Sequence, residues 1–182
     1  RQVIGRFQAG FEKGVADAGK KLGKDIQITS TYAGTFADAS KGRALASSMY
    51  QAGADIIYHA AATTGQGIFQ EAKALNETGS KDKVWVIGVD RDQNEDGKYT
   101  TKDGKDDNLT LASTIKGVNI AVKKISDLAL EDKFPGGEHL TYGLKDGGVD
   151  LTTEALSDQA KTAVKEAKEQ IISGDVKVPD QP

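Results

Sequence analysis

The sequence predicts an α/β fold in which a parallel β-sheet is flanked by helices, and three observations support this prediction. Residues 84–89 form a nearly unbroken apolar run, rich in β-branched side chains, that ends at Asp90. A run of this kind suits a strand that is buried on both faces of a parallel sheet. Strand patterns also recur at spacings of roughly 30 residues, as in βαβ units. Helical patterns separate these strands, as right-handed crossover connections require.

Apolar periodicity, β-rich runs and capping residues predict the individual elements. In the first half of the chain they are a helix over 3–22, a strand over 26–32, a helix from Asp38 or Ser40 to about Gln51, a strand over 55–59, a helix that follows the turn 60–67 and ends near Leu75, and the strand that ends at Asp90. After a polar loop over 91–108 they are a strand over 109–113, a helix over 114–130, a strand over 139–144, a pairing segment over 149–151 and a helix over 157–173.

Composition limits the classes of function. The 182 residues carry a formal charge of −3, which provides no positive field for nucleic acid or an anionic membrane surface. Cysteine is absent, which excludes disulfides and thiol nucleophiles within these residues and fits many extracytoplasmic proteins. No apolar stretch approaches the roughly 20 residues of a membrane-spanning helix. Because the sequence starts in a helical pattern without a leading strand, we expect an amino-terminal part of the fold to be missing.

Three loops are predicted to leave the carboxyl ends of consecutive strands, and they contain Phe36, residues 59–67 and Asp90. Loops at this edge of an open α/β sheet meet in one crevice, where ligands bind. Asp90 can accept hydrogen bonds from a vicinal diol or another two-donor group, or it caps the N–H groups of the following turn. Phe36 either stacks on a flat ligand or anchors the core. The sequence therefore predicts a binding site with an acid at this edge.

Two further features near this edge have a functional and a structural interpretation. Residues 64–67, Thr-Gly-Gln-Gly, open a helix, where N–H groups favour negative charge or polar acceptors and glycine lets the main chain approach a ligand. They complete neither the dinucleotide-binding motif nor the Walker A motif. Lys116 is predicted in the first turn of the helix over 114–130, which the helix dipole disfavours. Lys116 therefore meets a ligand or a carboxylate, or it is an exposed surface lysine.

Catalytic and metal-binding signals are weaker. His59 ends a predicted buried strand, which favours a hydrogen-bonded core histidine over a catalyst. Neither a zinc-protease motif nor a serine-hydrolase motif is present. Asp92, Asn94, Asp96 and Asp103 match the opening spacing of an EF-hand calcium loop. The closing residue is Asp rather than Glu and the flanks do not read as paired helices, so a solvated acidic turn is the alternative.

Seven stretches, in order over nearly the whole chain, resemble the basic membrane protein family, the purine-nucleoside receptor lipoproteins that serve ABC importers. They are residues 7–15, 32–42, 54–61, 64–69, 86–93, 113–116 and 143–149. The resemblance implies a type I periplasmic-binding-protein fold, with two Rossmann-like lobes and the ligand in the cleft between them. It implies no catalytic residue, metal or cofactor. One departure is that Ala62-Thr63 replaces a Gly-Gly pair that is common in the family.

The resemblance also implies roles for the candidate residues. Phe36 would stack on the base, and Gly65 with its neighbours, Thr64 among them, would place main chain against the ligand. Asp90 and Lys116 would bond the ribose side. The implied partners are a purine nucleoside and an ABC permease, with no nucleic acid. Contact with the membrane would be made only through a lipid anchor outside this chain, on the extracytoplasmic side.

Domain organisation follows from the same resemblance. Residues 1–108 would form most of the carboxyl-terminal lobe, 109–145 the crossover strands and helix of a truncated amino-terminal lobe, and 146–182 a closing segment. The helix over 114–130 would then pack on the missing lobe, so we expect its apolar face to be poorly buried. A sugar-binding or regulatory module of the same fold is the main alternative function. An α/β enzyme such as a nucleoside hydrolase is another, although no nucleophile–base pair is visible.

Overall fold

A computed structural model describes residues 2–79 and 82–182 of the chain. Helices α1 to α5 span Gln2–Leu22, Ala39–Gln51, Thr63–Thr78, Val118–Leu130 and Asp158–Ser173. Strands β1 to β6 span Ile56–Tyr58, Trp85–Asp90, Lys98–Thr100, Asp106–Asn108, Thr110–Lys116 and Val149–Leu151. Two single-turn 3₁₀-helices span Glu95–Gly97 and Leu144–Asp146.

The main sheet has four strands in the order β1-β2-β5-β6. Strands β1, β2 and β5 are parallel, and β6 is antiparallel to β5 at the edge. Strand β2 is central, and Val86 within it has no exposed surface. Gly88, on the same face as Val86, is also buried, whereas on the other face Trp85 and Ile87 are only half-buried. The apolar run 84–89 is therefore covered more fully on one face than on the other. The predicted α/β class, with a parallel sheet flanked by helices, is confirmed.

The core lies between the sheet and the helix pair α2–α3. Its fully or nearly fully buried side chains include Ala46, Tyr50, Ile57, Phe69, Ala72, Val86 and Leu109. The two helices can approach closely because Gly42 and Gly67 have no side chain. A Cβ at Gly42 would lie 1.9 Å from the carbonyl oxygen of Thr64, and one at Gly67 would lie 1.9 Å from that of Ala39. These glycines therefore set how α3 enters the fold, and with it the position of residues 62–65.

A buried amide fixes the beginning of β2. Asn76, on α3, is 8% exposed. Its Nδ2 donates to the carbonyl oxygen of Val84 at 2.9 Å, and the N–H of Val84 donates to its Oδ1 at 2.9 Å. Both groups of the amide are thus satisfied by the backbone just before the strand. This pair of bonds aligns β2 with the helix that precedes it in the chain.

The predicted strand over 26–32 is wrong. The segment has no regular secondary structure and runs beside α1, where Ser30 Oγ donates to Glu12 at 3.0 Å and the hydroxyl of Tyr32 donates to Gln8. Ile26 and Ile28 are 46% and 37% exposed. Alternating β-branched residues favour an extended backbone, but a strand also needs a neighbouring backbone to pair with. In the described part of the chain, residues 26–32 pair with no strand.

Three other boundaries differ from the prediction. Residues 139–144 form no strand, and the short 3₁₀-helix at Leu144–Asp146 follows them. The loop 91–108 is not structureless, because it contains a 3₁₀-turn and the β3–β4 hairpin. Strand β5 continues to Lys116, and α4 begins only at Val118 after the N-cap Gly117. Lys116 therefore closes a strand and does not lie in the first turn of a helix.

The apolar face of α4 is poorly buried, as predicted. Val118 and Val122 are 54% and 59% exposed, and Ile125 is half-buried. Every residue of this helix is described by the structure, and none of them is buried. Across residues 2–79 and 82–182, no helix combines the length and the apolar character needed to cross a membrane.

Candidate functional site

Asp90 and Lys116 meet at the carboxyl edge of the parallel sheet. Asp90 is the last residue of β2 and lies opposite Ile115 in the register with β5, whose last residue is Lys116. The Nζ of Lys116 lies 2.7 Å from Oδ1 of Asp90. The two side chains remain 55% and 42% exposed. The rim of the sheet therefore carries an accessible carboxylate beside an accessible ammonium group.

The backbone turns at Asp90 itself. Its φ is +69°, in the left-handed region that few residues other than glycine adopt. The next N–H, that of Arg91, donates to the carbonyl oxygen of Val89 at 2.9 Å and closes the turn. Such conformations persist only where the surrounding structure enforces them, and they cluster at functional sites. The carboxylate is thus held by a strained turn at the strand end.

Thr64 attaches the Phe36 loop to the start of α3. Its hydroxyl donates to the carbonyl oxygen of Thr35 at 3.2 Å and accepts from the N–H of Asp38 at 3.0 Å. Its own N–H donates to the carbonyl oxygen of Phe36 at 3.2 Å. Thr64 is 1% exposed, whereas Phe36 is 39% exposed. The side chain of Thr64 therefore positions the loop that presents Phe36, and its hydroxyl is engaged within the chain.

Gly65 lies against the ring of His59. A Cβ at this position would be 2.1 Å from Cε1 of the imidazole and 2.2 Å from its Nδ1. The packing of His59 therefore requires glycine at position 65, independently of any contact between the main chain and a ligand. Just before it, Ala62 has a φ of 47°, a conformation that favours glycine.

His59 is a buried, neutral histidine. It is 4% exposed, and its Nε2–H donates to Oε1 of Gln93 at 3.1 Å. Its Nδ1 has no hydrogen-bond partner within the described part of the chain. Burial lowers the pKa of His59 to about 4, although the bond to Gln93 and the charges of Asp90 and Asp96 act in the opposite direction. The histidine belongs to the core, with one ring nitrogen satisfied and the other not.

Gln93 is the residue of the site that sequence reasoning missed. It is 4% exposed, and its Oε1 accepts from the N–H of Val89 at 2.8 Å as well as from His59. Its Nε2 donates to Oδ2 of Asp96 at 2.9 Å. Nothing in its local sequence distinguishes it from a loop glutamine. Its burial results from contacts with the ends of β1 and β2 and with β5, which the pattern of residues does not reveal.

The predicted residues are linked by a continuous series of contacts. Phe36 is bonded to Thr64, and the neighbouring Gly65 lies against His59. Through Gln93, His59 connects to the backbone that precedes Asp90, and Asp90 pairs with Lys116. The contacts place these residues around the same end of the sheet. Their roles toward a ligand remain predictions.

Residues 1–182 match the Bmp family, described as ABC transporter substrate-binding protein PnrA-like. The chain belongs to this family. The resemblance that the sequence stretches indicated is thereby confirmed.

Two curated relatives are similar to nearly the whole chain. The Bmp-family chain is 49% identical over 172 residues to the ABC transporter nucleoside-binding protein BmpA of Lactococcus lactis, which covers 94% of the chain and 49% of that relative. It is 47% identical over 182 residues to the CD4+ T-cell-stimulating antigen of Listeria monocytogenes, covering 99% of the chain and 50% of the relative. The chain thus spans about half the length of the curated relatives that it matches.

A solved structure supports the fold. The crystal structure of ABC transporter system solute-binding proteins from Aeropyrum pernix superposes with a TM-score of 0.79 at 26% identity. The superposition covers 97% of the Bmp-family chain and 54% of the Aeropyrum chain. The parallel sheet with its flanking helices therefore has the fold of about half of this solute-binding protein.

The carboxylates of the acidic loop after β2 bond to groups of the chain itself. Oδ1 of Asp92 accepts the N–H of Asn94 at 2.9 Å, while Oδ2 of Asp96 lies 2.7 Å from Arg91 and also accepts from Gln93. Residues 2–79 and 82–182 contain no group of three or more histidine, aspartate or glutamate side chains placed to hold a metal ion. Asp92 and Asp96 thus stabilise the turn after β2.

Proposed function

We propose that this Bmp-family chain is part of an extracytoplasmic protein that binds a purine nucleoside and delivers it to an ABC permease. The observation that carries the proposal is the accessible Asp90–Lys116 pair, 2.7 Å apart at the rim of the parallel sheet. Ligands of open α/β folds bind at this edge. The name of the Lactococcus relative, a nucleoside-binding protein, gives the ligand class.

The pair has the chemistry of a ribose site. A carboxylate offers acceptors for both hydroxyls of a vicinal diol, and an ammonium group donates to a hydroxyl or ring oxygen. Both side chains retain solvent access, 42% for Asp90 and 55% for Lys116, so a ligand can reach them. In the absence of ligand each charge is neutralised by the other. A diol would insert between or beside them without leaving a buried charge unpaired.

Phe36 supplies the surface for the base. Phe36 is 39% exposed, and it lies in a loop that Thr64 holds in place. Stacking of a base on an aromatic ring contributes about 1–3 kcal/mol. A sugar without a base would gain nothing from this contact. Phe36 therefore separates the nucleoside proposal from the alternative of a sugar-binding module with the same diol site.

The proposed mechanism is closure of two lobes on the ligand. In this organisation residues 1–108 form most of the carboxyl-terminal lobe, 109–145 belong to an amino-terminal lobe, and 146–182 close the fold. The exposed apolar face of α4 and the half-length match to relatives support a second lobe that covers this face. A ligand that contacts both lobes only when they shut shifts the open–closed equilibrium without any chemical step. A lipid anchor outside this chain would hold the protein at the membrane.

Calorimetric titration of the whole protein with inosine, guanosine, adenosine and ribose tests the proposal. We expect binding of at least one nucleoside and none of ribose at the same concentration. Phe36→Ala should weaken nucleoside binding by about tenfold, the effect of a lost stacking contact. The control is Phe134→Ala, which removes another exposed phenylalanine, 63% exposed, from the turn after α4.

Three results would contradict the proposal. Tight binding of ribose that Phe36→Ala leaves unchanged would favour the sugar-binding module. Release of free base from inosine, followed by chromatography, would identify an enzyme. Failure of every nucleoside to bind the whole protein would refute the ligand class itself.

A further inference from the structure

Gln93 contacts the turn that carries Asp90 from inside the protein. It lies three residues after Asp90 and is 4% exposed. Its Oε1 accepts at 2.8 Å from the N–H of Val89, the residue directly before Asp90, and at 3.1 Å from Nε2–H of His59. Its Nε2 donates at 2.9 Å to Asp96. One buried amide therefore connects the end of β1 with the end of β2 and with the loop beyond.

The backbone of Gln93 is held as firmly as its side chain. Its N–H donates to Oγ of Ser113 at 3.0 Å, and its carbonyl oxygen accepts from Oγ1 of Thr110 at 3.0 Å. Both partners lie on β5 and are buried. A Cβ on Gly88 would lie 2.8 Å from Oε1 of Gln93, so the glycine leaves the space that the amide occupies. Every polar group of Gln93 thus has a partner, and the residue bridges three strands.

We propose that Gln93 positions Asp90 for ligand binding, an inference that rests on the proposed function above. Asp90 has a φ of +69°, which aspartate adopts more readily than most residues but which still costs free energy that the surrounding structure must offset. Gln93 fixes the N–H before Asp90 through its side chain, and it fixes the chain after Asp90 through its own backbone bonds. The turn is therefore determined on both sides by the same residue. Without Gln93 the carboxylate would no longer be held at the position that the ligand requires.

A purely structural role is the alternative, and the chain offers a matched control for it. Asn76 is also a buried amide, 8% exposed, and it bonds the backbone directly before β2. Its bonds are made to Val84, at the opposite end of the strand from Asp90. If the buried amides at the two ends of β2 contribute only to stability, substitution of either residue should change the affinity for the ligand equally.

The experiment compares Gln93→Leu with Asn76→Leu in the whole protein, measuring inosine affinity by calorimetry and the melting temperature. We expect both variants to melt at lower temperature, because each leaves buried backbone groups unsatisfied. Only Gln93→Leu should weaken inosine binding, by about tenfold, the equivalent of one hydrogen bond to a charged group. Equal affinity of the two variants would overturn the inference while leaving the proposed function intact.

A double-mutant cycle adds a readout that general destabilisation does not change. In an Asp90→Asn background Gln93→Leu should reduce affinity by less than about twofold more, because its effect acts through the carboxylate. Full additivity would contradict the inference.

A second variant, Thr110→Val, tests the inference if Gln93→Leu does not fold. This substitution removes one hydrogen bond to Gln93 at constant shape and should weaken binding about threefold. Unchanged affinity in Thr110→Val would refute the inference, and a wild-type protein that binds no nucleoside would refute the proposed function with it.

Discussion

Acidification should destabilise this protein through His59. Burial lowers the pKa of this histidine from 6.5 to about 4. Above pH 6.5 it is neutral in both the folded and the unfolded chain, so it makes no difference to stability. Below pH 6.5 the unfolded chain binds a proton that the folded chain does not, and stability is lost until the pH reaches about 4. Since one pKa unit corresponds to about 1.4 kcal/mol, the whole loss is roughly 3 kcal/mol.

Urea unfolding between pH 7.5 and pH 5 measures this loss. At pH 5 the wild type should have lost about 2 kcal/mol through His59, whereas His59→Gln cannot titrate at this position. Although burial acts in the opposite direction, hydrogen bonds with Lys83 and Lys168 lower the pKa values of Asp107 and Asp150. Protonation of these two carboxylates in acid therefore also reduces the stability of the protein. Because both proteins share these carboxylates, the difference between the two pH profiles isolates the histidine.

His139→Gln is the control for the loss of one histidine, since His139 is exposed. The loss of stability that His59 causes between pH 7.5 and pH 5 should persist in His139→Gln. Parallel pH profiles of the wild type and His59→Gln would contradict the prediction. His59 would then accept a proton in the folded state, and the buried contact with Gln93 would not exist in the form described.

Three further predictions concern single positions of the site. Gly65→Ala should destabilise the fold by about 1–3 kcal/mol in urea unfolding, because the added Cβ would lie 2.1 Å from the ring of His59; wild-type stability would show that the ring can move aside. Ala62→Gly should raise the free energy of unfolding by about 1 kcal/mol, because it relieves a φ of 47°, and no gain would mean that the turn is unstrained. Lys116→Met should weaken nucleoside binding about tenfold by calorimetry but change the melting temperature little, since exposed ion pairs such as that with Asp90 contribute about 0–1 kcal/mol; a large loss of stability would contradict this.

Part of the site was predictable because it depends on residues close together in the chain. An apolar run that stops at a carboxylate indicates a buried strand with Asp90 at its end, and β2 ends at that residue. Capping residues marked helix starts equally well, since the side chains of Asp38 and Ser157 accept N–H groups at the first turns of α2 and α5. These signals are local, because a cap or a buried strand is determined by a few successive residues.

Other parts depended on neighbours that the sequence does not name. Residues 26–32 have the composition of a strand but lack a backbone partner, and Lys116 closes β5 although its surroundings suggested a helix. Gly65 was predicted from the proximity of a ligand, whereas the structure shows that the ring of His59 already requires it. In each case the outcome depends on pairing or packing with a distant segment, which periodicity does not reveal.

The sequence by itself determined the α/β class, the central strand with its terminal acid, most helix boundaries and the family. These follow from local periodicity, from capping chemistry and from ordered similarity along the chain. Only the tertiary structure decided that Asp90 pairs with Lys116 and that Gln93 lies buried beneath it. The physical reason is that an ion pair and a buried amide depend on which strands lie side by side. Strand order is a property of the folded chain as a whole.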